Sequence, residues 1–112
     1  MSECLFCKIV NGEIPADVVY ENDKILAFKD IHPLAPIHIL VIPKVHLSTL
    51  NDVKDYSVIT DIFKAIDEIT GQLNIKENGY RVVCNCNYDG GQAVFHLHFH
   101  ILAGTTLTNK LG

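Results

Sequence analysis

The sequence predicts an α+β domain built on a largely antiparallel five-stranded sheet, with one long helix and a short N-terminal helix. Two observations carry this expectation. Five short apolar stretches are bounded by turn residues, and one long stretch repeats its apolar residues at helical spacing. A third excludes the main alternative: strands and helices do not alternate in the βαβ order that builds parallel sheets.

In chain order, "CLFCKIVNG" reads as a short helix ended at Gly12, with Pro15 marking a turn. "VVYEN" and "KILAFKD" read as two strands around the polar turn 21–23, and "IHILVIP" as a third, stopped by Pro43. The long helix is expected to start at Asn51 or Asp52, either of which suits an N-cap. Its apolar stripe is Ile59, Ile62, Phe63, Ile66, Ile69 and Leu73, which lays one face on the sheet. "YRVVCNCN" and "VFHLHFHIL" supply the last two strands, and the small, polar tail from about 104 to 112 is expected to be loose.

The 112 residues make a single domain, 1–112, long enough to bury a core and too short for a second. With 48% hydrophobic and 20% charged residues the balance is that of a globular protein. A net charge of −4 argues against a nucleic-acid polymer as partner, since such binders carry a basic excess that displaces counterions. A small nucleotide in a closed pocket stays open as a ligand. No apolar run approaches the roughly 20 residues that span a bilayer, so no membrane partner is expected. "MSECLFCKIV" lacks the basic start and long apolar stretch of a secretion signal, which makes a cytoplasmic protein the expectation. There the four cysteines, Cys4, Cys7, Cys84 and Cys86, stay reduced. Cys84 and Cys86 share a strand face in this reading and serve as small core residues.

The chemistry concentrates in "FHLHFHIL", residues 95–102. On a strand His96, His98 and His100 share one face, while Phe95, Leu97, Phe99 and Ile101 share the other and form the core side. Three imidazoles on one face need hydrogen-bond partners or a metal if they are buried. A solvated strand face would carry Thr, Lys and Glu more naturally. Consecutive same-face residues of a flat strand aim in parallel rather than converging, so at most one or two of the three suit one metal. What remains is nucleophilic or acid/base work by imidazole. Just before the stretch, Gly90 and Gly91 in "NYDGGQAV" suit either a hairpin turn or a cradle whose N–H groups receive phosphate oxygens. Followed so closely by three histidines, the cradle becomes the better reading.

"DGGQAVFHLHFHIL" resembles the signature of the histidine-triad (HIT) superfamily, and "CLFCKIVNGEIPADVVYENDKILAFKDIHPLAPIHILVIPKVHL" is similar to the N-terminal half of its Hint branch. The resemblance runs from about residue 4 to 104 and implies a HIT-like fold, usually a homodimer whose two five-stranded sheets join. It implies a nucleotide-binding hydrolase that cleaves purine nucleoside 5'-phosphoramidates, such as AMP conjugates of amines, to the nucleoside monophosphate. By the same resemblance His98 is the nucleophile and forms a nucleotidyl-histidine intermediate. Its other ring nitrogen is then expected to donate to an acceptor, a backbone carbonyl. His100 would bond a phosphate oxygen, with His38 behind it in support. Gln92 would reach the scissile or attacking oxygen, and Asn85 with the turn at Gly91 would hold the phosphate. Asp30 would accept the ribose hydroxyls, and Phe6, Ile9, Ile14, Phe28 and Ile31 would wall the base. From composition alone these five are equally readable as ordinary core. His32 has no counterpart in the resemblance.

The spacing Cys4-x-x-Cys7 at a helix start suits zinc, and also suits a redox pair or no role at all. The resemblance extends to bacterial members that complete the set with the histidines at the positions of His46 and His96, implying a structural Zn2+ held by Cys4, Cys7, His46 and His96. Ala93 departs from the Ser of many Hint enzymes, and the tail lacks the aromatic, proline-containing end of many eukaryotic members. Both departures fall on the leaving-group half of the site. Two further functions stay open: cleavage of dinucleoside polyphosphates, as in the Fhit branch, and a nucleotide- or partner-binding module with vestigial catalysis.

Overall fold

The computed structural model describes residues 4–108. Helix α1 spans Leu5–Val10, β1 Val18–Glu21, β2 Ile25–Lys29, β3 Ile37–Pro43, α2 Ser57–Gln72, β4 Arg81–Val83 and β5 Phe99–Ala103. The strands form one sheet in the order β1-β2-β3-β5-β4, and every neighbouring pair is antiparallel.

Alternation along the central strands divides their side chains between two layers. Ile25 and Ala27 of β2, Ile39 and Val41 of β3, and Phe99, Ile101 and Ala103 of β5 face α2, meeting Ile62, Ala65, Ile66 and Ile69 in the main core. Each fully buried isoleucine there stabilises the fold by about 1.5–3 kcal/mol. The intervening residues Leu26, Phe28, Leu40 and Ile42 point the other way, where Phe6, Ile9 and Val10 of α1 close over them. His38 and His100 fall on this α1 side because they sit one residue out of phase with the α2-facing set. The β3–β5 register pairs His38 with Leu102 and Leu40 with His100, two residues apart along each strand.

Three expectations are corrected. The long helix starts at Ser57, not at Asn51 or Asp52. Thr49 and Asp52 form a reciprocal capping box, but it closes a single 3-10 turn, Leu50–Asp52, after which Val53 is extended and buried. Asp55 then accepts the Ser57 amide at 3.0 Å and opens α2. Second, Phe63 is 54% exposed and Leu73 38%, so the stripe is narrower than its spacing suggests; Phe63 meets Phe99 edge-on at 5.9 Å. Third, the last strands are short. Residues 94–98 leave the sheet because the Leu97 amide donates to Leu47 O at 2.6 Å, and Phe95, expected in the core, is 47% exposed. Cys84 and Cys86 lie beyond β4 and are half-buried; Cys84 still packs on the main core.

At the C-terminal end, the Arg81 guanidinium donates to Thr108 O at 2.6 Å. Residues 109–112, part of the tail expected to be loose, lie outside the described residues. Among the described residues no helix is long and apolar enough to cross a membrane.

Candidate active site and metal centre

The three histidines of the 95–102 stretch are drawn into different environments. His98, 6% exposed, turns its ring against the edge of Phe6 at 5.2 Å between centroids. Its Nδ1–H donates to the His96 carbonyl at 2.7 Å. A carbonyl can only accept, so the proton of neutral His98 sits on Nδ1 and Nε2 carries a lone pair. Burial pushes the His98 pKa down, against the opposing pull of the His96 carbonyl and Asp30, and so favours this neutral form.

His100 starts the next turn of the pleat, its ring centroid 5.0 Å from that of His98. Its Nδ1 lies 2.9 Å from Nε2 of His38, and its own Nε2 is buried with no hydrogen-bond partner among the described residues. Burial, then the charges of His98 and His38, push His100 down to about 4. His38, 4% exposed, is lowered by burial although Asp30 opposes it. Asp30 brings Oδ2 to 3.4 Å from His38 Nε2, while its Oδ1 accepts the His32 amide at 2.8 Å and so shapes the 30–34 turn. His32 itself is exposed.

The glycine turn comes shortly before His98 and His100 in the chain. Asn87 and Gly91 take positive φ, 62° and 79°, which Gly91 adopts without strain. A Cβ on Gly90 would meet Cys86 O at 2.4 Å, so only glycine allows this turn to close on the 84–86 segment. Asn85 is half-buried, and Gly91 and Ala93 are exposed. Gln92 is buried and committed within the protein: its Nε2 donates to Ser48 O at 2.7 Å and Val94 O at 3.0 Å, and its Oε1 accepts the Asn87 amide at 2.8 Å. It braces the turn rather than reaching out of it. Of the five wall residues, Phe6 and Phe28 meet edge to face at 5.4 Å and Ile9 packs beside them. Ile14 is half-buried outside that cluster, and Ile31 is 85% exposed on the loop after Asp30.

His96 turns away from the other two. Its Nε2–H donates to Pro43 O at 2.8 Å, which leaves the Nδ1 lone pair facing Cys4, Cys7 and His46. That nitrogen lies 3.4 Å from Cys4 Sγ, 3.6 Å from Cys7 Sγ and 3.2 Å from His46 Nδ1, with Cys7 Sγ to His46 Nδ1 at 3.3 Å. A tetrahedral ion bound by two sulfurs and two nitrogens requires ligand-to-ligand edges of about 3.3–3.8 Å; the three sulfur–nitrogen separations fall in that range and the nitrogen–nitrogen one lies just below it. Burial and the neighbouring Cys4 push the Cys7 thiol up, so that a thiolate pair here calls for a cation. The four residues could therefore hold a metal ion. The helix start and the loop after β3 bring them together: Cys4 caps α1, accepting the Cys7 amide at 3.3 Å, while His46 and His96 follow from Pro43 and the diverted 94–98 segment.

Several participants had no signal in the sequence. Pro43 O, His96 O, the Leu34 amide, which donates to His38 Nδ1 at 3.0 Å, and Ser48 O all act through the main chain.

Known proteins are similar to this chain in sequence and in fold. The family model described as the HIT domain matches residues 11–107. The purine nucleoside phosphoramidase of Escherichia coli strain K12 is 43% identical over 107 residues, covering 94% of this chain and 90% of that protein. Among solved structures, a histidine triad protein from Clostridium difficile superposes with a TM-score of 0.95 at 48% identity, covering 99% of this chain and 98% of the other. A HIT family hydrolase from Legionella pneumophila does so at 0.94 and 47%, covering 98% and 100%. With the match spanning nearly the whole length, in sequence and in fold, the chain belongs to the HIT domain family.

Proposed function

We propose that this protein is a hydrolase of purine nucleoside 5'-phosphoramidates, releasing the nucleoside monophosphate and an amine. The observation that carries the reading is the His98 ring: Nδ1 is tied to the His96 carbonyl, and the lone pair is left on Nε2 in a neutral imidazole. The kinship with the E. coli phosphoramidase supports the choice of substrate.

In this mechanism His98 Nε2 attacks the α-phosphorus. The phosphorus–nitrogen bond breaks, its electron pair leaves with the amine, and the amine takes a proton from solvent. Water then attacks the nucleotidyl-His98. The phosphorus–Nε2 bond breaks, its pair returns to the ring, and a water proton passes to solvent. His100 Nε2–H is the donor for a phosphoryl oxygen, which suits a transition state stabilised mainly by positioning and charge. Asn85 and the Gly91 turn hold the phosphate, Asp30 accepts the ribose hydroxyls, and Phe6, Ile9, Ile14, Phe28 and Ile31 line the base. Gln92, whose amide groups are all engaged, contributes by bracing the turn.

Cys4, Cys7, His46 and His96 would hold Zn2+, which in a closed four-ligand site supplies structural cross-linking of α1 to the sheet. A site of reduced thiols fits a cytoplasmic protein. A homodimer completes the reading. Edge strand β4 carries exposed Val82, which its pairing with Ile101 sets on the α2 side of the sheet, the side on which exposed Phe63 also lies.

A second reading, a nucleotide-binding module with weak catalysis, is favoured by Ala93, which has no hydroxyl for the leaving group. Incubation with adenosine 5'-phosphoramidate separates the two. AMP release that disappears in His98→Ala, with AMP binding retained, supports the hydrolase. Wild-type inactivity on phosphoramidates and dinucleoside polyphosphates alike leaves the binding module.

A further inference from the structure

Asp30, His38 and His100 form a second cluster whose donor atoms all lie within 4.8 Å of one another. Hydrogen-bond logic decides what this cluster can do. The Leu34 main-chain N–H donates to His38 Nδ1 at 3.0 Å. An N–H can only donate, so Nδ1 keeps its lone pair and the one proton of neutral His38 sits on Nε2. That proton faces two acceptors, His100 Nδ1 at 2.9 Å and Asp30 Oδ2 at 3.4 Å. His100 Nδ1 must then accept, which places the His100 proton on Nε2, the buried nitrogen with no partner among the described residues. A buried donor left unpaired in an otherwise satisfied network marks a place where a ligand completes it.

Resting on the reading of this pocket as a phosphate site, we propose that the Leu34 main-chain amide is a positioning group. It fixes the proton of His38 on Nε2, and through His38 it obliges His100 to present an N–H to a phosphoryl oxygen. The same amide denies the Asp30, His38 and His100 cluster to a metal, because His38 has no lone pair left on the nitrogen that faces the other two. It also opposes a second proton on His38, which would have to sit on Nδ1 against the Leu34 hydrogen. The Leu34 side chain is 76% exposed and takes no part; the turn that Asp30 Oδ1 begins by accepting the His32 amide delivers the N–H. His98 is set the opposite way by the His96 carbonyl. A lone pair on one ring therefore stands beside an N–H on the next, the pairing that a phosphorus and its oxygen require.

Nitrogen-15 NMR of the labelled wild-type protein at neutral pH reads these protons directly. His38 and His100 should each show a protonated Nε2 and an unprotonated Nδ1, and His98 the reverse. A proton on His38 Nδ1, or an even mixture, overturns the proposal. Leu34→Ala, which keeps the amide, should leave the His38 pattern as in the wild type. Leu34→Pro, which removes it, should shift His38 toward a mixture and lower kcat about fivefold, the worth of one neutral hydrogen bond; an unchanged pattern in a folded Leu34→Pro protein overturns the proposal. Because the wild-type spectrum is decisive alone, failure of that variant to fold costs nothing. Zinc titration followed by native mass spectrometry should show no more than one ion per chain, and a second ion that Asp30→Asn removes overturns the proposal. Wild-type spectra as stated with no AMP released from a phosphoramidate support the proton arrangement and defeat the function. AMP release with His38 protonated on Nδ1 does the opposite.

Discussion

His98 Nδ1 lies 2.7 Å from the carbonyl oxygen of His96, so the residue proposed as nucleophile is oriented by the main chain of a residue in the candidate metal centre. One side chain, His96, faces Cys4, Cys7 and His46, and its carbonyl faces the reacting ring. The two centres are thereby joined through a single residue of the diverted 94–98 segment.

Replacing His98 with Ala should abolish turnover, by about 10³-fold or more, since no other side chain offers an unprotonated ring nitrogen in its place. AMP affinity should fall far less, because the base walls and Asp30 are untouched. Single-turnover assays on a phosphoramidate, with AMP binding measured by calorimetry, check both halves. Loss of binding in parallel with turnover would remove the reason for treating His98 as the nucleophile.

The pH dependence follows from the same burial. His38, His98 and His100 all have folded pKa values below the ordinary 6.5, His100 at about 4. Below about pH 6.5 the unfolded chain takes up protons that the folded one refuses, so stability is full above that pH and falls as the pH drops toward 4. Each such group costs about 1.4 kcal/mol per pH unit across its window. Urea midpoints at pH 7, 6 and 5 should fall steadily. By contrast the acidic limb of kcat/KM should lie below 6.5, since neutral His98 persists to lower pH in the folded site. A limb centred at the free-histidine value would contradict the burial.

How far the sequence reaches is visible in particular residues. Alternation placed Ile101 in the core and His100 on the opposite face, and Cys4-x-x-Cys7 with His46 and His96 pointed to a set that the fold does bring together. The strand reading failed at Phe95, because the Leu47 carbonyl captures the Leu97 amide and pulls the chain out of the pleat, a long-range bond with no local pattern. The helix start failed for a related reason: an N-cap residue such as Asn51 or Asp52 looks the same whether it stands at a helix of several turns or in a single 3-10 turn. The partners that set each ring's proton, Pro43 O, His96 O and Leu34 N, are main-chain atoms that every residue owns. No letter in the sequence distinguishes them.

Metal removal should be felt at the N-terminus first. Native mass spectrometry should find one zinc per chain, and Cys4→Ser or His96→Ala should lose it, whereas Cys84→Ser should keep it. Chelation should lower Tm and expose the α1 amides to hydrogen exchange, while the main core of α2 on the sheet keeps its protection. Full zinc occupancy in Cys4→Ser would exclude this ligand set.

Gln92 distinguishes bracing from direct contact with substrate. Its amide joins three segments, Ser48, Asn87 and Val94, in one part-buried node. Gln92→Ala takes a partner from the Asn87 amide and from two carbonyls and should destabilise the protein by about 2–4 kcal/mol, below the roughly 3–9 that three fully buried unpaired groups would cost, because all three bonds are only part-buried and water reaches them. Gln92→Glu is the sharper probe. The carboxylate can still accept the Asn87 amide, but it turns an oxygen toward the Ser48 and Val94 carbonyls where the donor stood, so it should be at least as destabilising as alanine. Were Gln92 instead a residue that only touches substrate, both variants would keep the wild-type urea midpoint and lose kcat alone. A brace predicts that the midpoint falls and that KM for the nucleotide rises with it, since the Asn87 to Gly91 turn loosens. Gly90→Ala should reproduce that loosening independently, because its Cβ would sit 2.4 Å from the Cys86 carbonyl and force the same turn off the 84–86 segment.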